Sequence, residues 1–266
     1  MKLPSPPAKE PTDHGSRIAD HGSDQAATLR RLFRTPAPRV LPVIITDHIS
    51  FARWFAPLAG AFARAGERTL VLDGARMQTA AAFGHRARFE LAHVLAGDCA
   101  PAQALIAAAP RLVVVPAARA FNAAGAGTRL DDLLRAFAPS VAPRAAPDLL
   151  LLALVPAQAH LLAGLGACAL LPLPPDLAAL RGAINAARSA RESGDMRGFR
   201  LLFPGMPAAS AASLFDRLAV PVRRRVGAVL QYAGPLGTSA DVAQLARAAA
   251  GWELARLRWP ELETVS

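Results

Sequence analysis

Short, unbroken apolar runs recur along this chain, separated by segments with helical spacing, and that alternation limits the fold more than any other feature. Val40–Thr46, Thr69–Leu72, Leu112–Val115, Leu149–Leu154, Ala167–Leu171, Phe199–Phe203 and Val226–Tyr232 each read as a strand. Between them, helical patterns run from about Phe51 to Ala65 and over Phe89–Ala96, Pro101–Ala108, Leu130–Phe137, Asp176–Arg191, Ala208–Leu218 and Ser239–Leu257. Continuous rather than alternating apolar strands are strands covered on both faces. Repeated βα units of this length predict an α/β fold with a doubly wound, mostly parallel sheet. Ligands of such sheets bind beyond the carboxyl ends of the strands, so the loop Asp47–Arg53 after the first strand is the place to look for a phosphate site.

The stretch from Leu149 to Pro175 carries no formal charge, but Pro156, Gly164, Gly166 and Pro172 interrupt it. A membrane span needs about 20 continuous apolar residues. Two buried strands with a short helix between them account for it better.

Residues 1–23 are rich in Pro, Ser, Gly, Asp and His and are expected to be disordered. A short helix over 24–34 follows, with Ser23 or Asp24 as its cap and Ala26, Leu29, Leu32 and Phe33 on one face. The expected organisation is an arm over 1–38 and an α/β domain over 39–266. The first residues lack an apolar stretch, so no secretory signal is expected and a cytoplasmic location is. Cys99 and Cys168 lie far apart and the six histidines are dispersed, which predicts neither a disulfide framework nor a metal site.

The net charge is +10. A basic domain can meet nucleic acid, an anionic membrane or an acidic partner. Its arginines are scattered, however, and the tight run Arg223–Arg225 has no interleaved aromatics to stack on bases. A solvated surface facing a protein partner is the expectation, rather than nucleic-acid readout. Lysine occurs only at Lys2 and Lys9. A phosphate loop needs glycines, so that backbone N–H groups close on the anion, and a lysine for the β/γ-phosphates. The loop T-D-H-I-S-F-A-R-W-F offers neither; it has Asp47, His48, Ser50, Arg53 and three bulky aromatics. ATP and magnesium are therefore not expected as cofactors, and no catalytic or metal residue is assigned.

Val43–Thr46, followed by Leu58-Ala59, Phe62-Ala63, Gly66 and Leu70-Val71-Leu72-Asp73, resembles the opening of the MinD/ParA-type P-loop ATPases. Leu91–Gly97, Arg111–Ala117 and Leu171–Asp176 resemble later segments of the same family, in order. The resemblance implies a MinD/ParA-type sheet and also marks coordinated losses. The loop lacks its lysine and is about three residues short. The second aspartate expected after Asp73 is missing, and the strand beginning after Asp148 is apolar where the family has its metal-side acid. Hydrolysis needs all of these groups, so the resemblance implies a degenerate nucleotide site and no ATPase activity.

Asp24-Gln25-Ala26-Ala27-Thr28-Leu29-Arg30 resembles the DQAxxLR helix that distinguishes the FlhG/FleN branch, regulators of flagellar number and placement. There the helix docks on the SRP-type GTPase FlhF and stimulates it. The resemblance implies a partner-binding helix made of Asp24, Gln25, Ala26, Leu29, Arg30 and Phe33. A glutamine orients an attacking water without titrating, and the apolar face suits helix-in-groove docking. An ordinary amphipathic helix packed on its own domain would show the same spacing. Other partners implied by the branch are flagellar switch or export proteins and a flagellar transcription regulator, with placement at the cell pole. The C-terminal segment carries Trp259 beside Arg247, Arg256 and Arg258, which would suit weak or indirect membrane contact; covering a sheet face is the simpler role. The alternative reading is a degenerate MinD-like scaffold for polar localisation or secretion with no effect on a GTPase.

Overall fold

The computed structural model describes residues 37–46, 48–135 and 147–259. The arm helix expected over 24–34, and with it Asp24, Gln25, Ala26, Leu29, Arg30 and Phe33, lies outside the described residues, as does Asp47. In chain order the elements are β1 (Arg39–Ile44), α1 (His48–Arg64), β2 (Thr69–Asp73), α2 (Thr79–Ala82), α3 (Leu91–Ala96), α4 (Pro101–Ala104), β3 (Ile106–Ala109), β4 (Leu112–Pro116), α5 (Ala118–Ala123) and α6 (Leu130–Arg135). There follow β5 (Leu149–Leu154), a 3₁₀ segment (Pro156–Leu162), β6 (Cys168–Pro172), α7 (Leu177–Gly194), β7 (Gly198–Pro204), α8 (Ala208–Val226), β8 (Val229–Leu236), α9 (Ser239–Ala250) and β9 (Ala255–Arg256).

The strands form one sheet in the order β3-β4-β2-β5-β1-β6-β7-β8, with β9 added beside β1. All pairings are parallel except β3 with β4 and β9 with β1. This is the mostly parallel, doubly wound sheet that the alternation predicts. The period of two sorts each strand between two cores. Leu150, Leu152 and Leu154 of β5 face a core shared with α5, α6, α7 and α8. Leu149, Leu151 and Ala153 face one shared with α1 and α9. The uncharged stretch after Asp148 forms β5, the 3₁₀ segment and β6, and no described helix is long and apolar enough to cross a membrane.

Three of the expected helices end elsewhere, and the strand expected over Val226–Tyr232 runs from Val229 to Leu236. The helix expected over Pro101–Ala108 stops at Ala104, and Ile106–Ala109 turns back to pair with β4. Alanine favours helix, but here β4 offers an unpaired edge whose backbone groups need partners. The turn places Arg111 at φ 63°, and its guanidinium donates to the Gly66 carbonyl at 2.9 Å. The helix expected to end at Leu218 continues through Pro221 to Val226, where Gly227 at φ 69° closes it. Arg223–Arg225 thus form its last turn, where cations oppose the helix dipole. The helix expected to reach Leu257 ends at Ala250, and Ala255–Arg256 pair with Val40 and Arg39.

Two arginines tie the amino ends of the central strands. Arg39 pairs with Glu67 and donates to the carbonyls of Ala249 and Ala250, both at 3.2 Å, at the end of α9. Arg68 holds Asp148, just ahead of β5, through Nη2 at 2.6 Å and Nε at 3.0 Å, and its backbone N–H adds a third bond at 2.8 Å. The Arg68 hydrogen bonds keep the Asp148 carboxyl below its usual range, against the effect of burial. A depressed folded-state pKa stabilises above the unfolded value and is lost as pH falls through the folded one. Both side chains are about a third exposed, so the pair is worth about 1 kcal/mol at most. Asp148→Asn should lower stability by that amount at neutral pH in urea unfolding, and the difference should close as pH falls below about 4.

Candidate functional site

The carboxyl ends of β1, β2 and β5 lie side by side, where a doubly wound sheet places its ligand. Only residues 45–47, Ile-Thr-Asp, separate β1 from α1, and none is glycine. A backbone cradle needs several consecutive N–H groups turned inward, with glycines to allow it. His48 and Ser50 fall in the first turn of α1. Phe51 and Phe55, one turn further, are buried in the core between α1 and the sheet. Arg53 is exposed, its guanidinium 5.8 Å from the centre of the Trp54 ring. The sequence that would have wrapped a phosphate has become the start of an amphipathic helix.

Asp73 closes β2 and is 5% exposed. Its Oδ1 accepts from the Met77 N–H at 2.7 Å, and its Oδ2 accepts from the Thr79 N–H and hydroxyl, both at 3.1 Å. These three bonds fold residues 74–79 into a turn that leads into α2, which includes Arg76 and Gln78 at positive φ. The aspartate therefore acts as a turn anchor. Ala75, in the place of the second aspartate, is buried.

At the end of β5, Ala153 and Leu154 are fully buried and bring no acid. A second polar lock lies beside them, which the sequence reading missed. Gln158 of the 3₁₀ segment is 2% exposed; its amide donates to the Gly74 carbonyl at 3.0 Å and to Oδ1 of Asn122 at 2.7 Å. Its oxygen accepts from the Val155 N–H at 3.0 Å. A methyl group on Gly74 would overlap the Phe121 ring and come within 2.8 Å of the Ala153 carbonyl oxygen. No local pattern signals this lock, because the Gly74 group that Gln158 meets is a backbone carbonyl 84 residues away. The side chains of Asp73 and Gln158 are thus satisfied by neighbours, although Thr46 Oγ1, just past β1, is buried without a partner among the described residues, and the residues present do not match the lysine, glycine and acid set that a nucleoside triphosphate and its metal ion require. Among the described residues no group of three or more His, Cys, Asp or Glu side chains could hold a metal.

No protein-family profile matches the sequence, and no curated protein sequence matches it. Solved structures do match this sheet order and its helical layers. The fold is that of MinD. MinD cell division protein from Aquifex aeolicus superposes with a TM-score of 0.56 at 15% identity, over 82% of this chain and 100% of that one. The MinC:MinD cell division protein complex from the same organism gives 0.55 at 14%, over 84% and 100%. A plasmid partition protein from Borrelia burgdorferi gives 0.50 at 11%, over 78% and 97%. At these identities the likeness is one of fold.

Because both Asp73 oxygens accept, an amide cannot replace the carboxylate without turning N–H groups against N–H groups. Asp73→Asn should cost about 1–3 kcal/mol of stability, read as a lowered urea midpoint with unchanged slope.

Proposed function

We propose that this chain is a FlhG-type regulator whose MinD-like domain is a scaffold, and that its arm helix engages a FlhF-type SRP GTPase. The observation that carries the reading is the run Asp24-Gln25-Ala26-Ala27-Thr28-Leu29-Arg30 placed ahead of a domain whose first loop has neither glycine nor lysine. Gln25 is the group offered to the partner's attacking water, and Leu29 and Phe33 supply the docking face. The three-residue connection after β1 and the inward commitment of Asp73 and Gln158 support a domain that neither binds nor hydrolyses ATP. Its placement, at the pole or at the inner face of the membrane, would then be set by partners rather than by a nucleotide cycle.

The likeness to MinD from a MinC:MinD complex favours a second reading, a protein-binding scaffold with no effect on a GTPase. GTP turnover by a FlhF-type GTPase, measured with and without the full chain, separates the two. The first reading expects stimulation that Gln25→Ala reduces by about tenfold or more; turnover indifferent to the chain or to Gln25 leaves the second. Calorimetry with Mg-ATP should give no binding heat, and micromolar affinity would overturn the scaffold reading of the domain.

A further inference from the structure

At the opposite end of the sheet, under the face covered by α1 and α9, the amino ends of β6, β7 and β8 and the segment Trp252–Arg256 line a cavity of about 570 Å³ that is open to solvent. Arg200 lines it. This residue interrupts the apolar run of β7, between Leu170 of β6 and Gln231 of β8 in register, and it is only 7% exposed. Its guanidinium lies 4.5 Å from the centre of the Trp252 ring. That stacking offsets part of the cost of burying the charge. It does not supply an acceptor. Among the described residues Arg200 enters no ion pair, and its Nη1 has no hydrogen-bond partner. A guanidinium does not lose its proton in a protein, and a buried charge without a counter-ion is costly.

The rest of the wall has the same character. Arg197 and Arg256 line the cavity and are exposed at its edge. Arg39 also lines it but is already neutralised by Glu67. Glu253 is the one acid on the wall, and it pairs with none of these arginines within 4.0 Å. Arg197 continues into a neighbouring hollow beside Arg223 and Arg224, so the approach is positive as well. We propose that this cavity is an oxyanion-binding site for a small phosphorylated or carboxylated molecule, with Arg200 as its central ligand-binding residue and Arg197 and Arg256 completing the charge. A guanidinium seated over an indole ring keeps its N–H groups for an oxyanion, which its planar fork can meet with two bonds. The site is at the far end of the strands from the ATP position of the MinD fold, and it does not depend on the arm helix or on the GTPase reading.

Cys168 provides a reporter, because it lines the same cavity. Burial raises its thiol pKa, and the nearby Arg200 only partly opposes this, so alkylation is to be followed at alkaline pH. The full chain is titrated with inorganic phosphate and, separately, with malonate, at ionic strength held constant with chloride so that screening is matched. The expected result is saturable heat with at least one of the two, and a several-fold slower alkylation of Cys168 but not of Cys99. Phosphate alone or malonate alone identifies the head group. Arg200→Met keeps the stacking volume against Trp252 and removes the buried charge, so it should melt no lower than the parent; its binding should weaken by about tenfold or more. Should Arg200→Met not fold, Arg197→Gln and the shielding of Cys168 in the unaltered chain decide. The proposal is overturned by no saturable binding of either anion, by binding that leaves Cys168 unshielded, or by binding that Arg200→Met leaves intact.

Discussion

The fold depends on β5 being held between β1 and β2, paired with one over six residues and with the other over five. Every residue of Leu149–Leu154 is buried. A strand paired on both edges and covered on both faces leaves no room for a polar side chain unless it carries its own partner. That restriction fixes the helical layers on each side, and it also sets the character of the strand end where the fold's ligand site lies. There the chain has apolar residues and internally closed hydrogen bonds instead of an acid open to a metal.

Much of this could be read in the sequence. The runs from Val40, Thr69, Leu112, Leu149, Ala167 and Phe199 became strands because they are too short for stable helices and pair with neighbouring strands to satisfy their backbone inside the core. What could not be read is decided by partners distant in sequence. Ile106–Ala109 has the composition of a helix and became a strand because β4 had an open edge. Trp252–Arg256 left its helix because Gly251 stops it and β1 had room beside Arg39. The lock of Gln158 on Gly74 joins residues 84 apart, beyond any local pattern.

The two ends of the sheet have opposite electrostatic character. At the carboxyl ends of the central strands the buried polar atoms of Asp73 and Gln158 are all matched by neighbours. At the amino ends Arg200 is buried without an anion of its own. A scattered set of arginines in the sequence hid this contrast, because Arg200 is one arginine in a chain whose basic residues are nearly all arginine. The informative point was its position inside an otherwise apolar strand, where a charge is rare unless something meets it.

The pairing of β9 with β1 has a consequence for how the chain is made. Arg39 and Val40 are among the first described residues to be synthesised, and Arg256 and Ala255 among the last, yet they are neighbours in the sheet. On its other edge β1 must wait for β5, and its guanidinium clamp must wait for the end of α9. An apolar strand that is buried from Val40 to Ile44 is therefore unpaired for most of translation. Contacts this distant in sequence form late, so a nascent chain that has emerged only as far as β4 presents a sticky edge to whatever surrounds the ribosome.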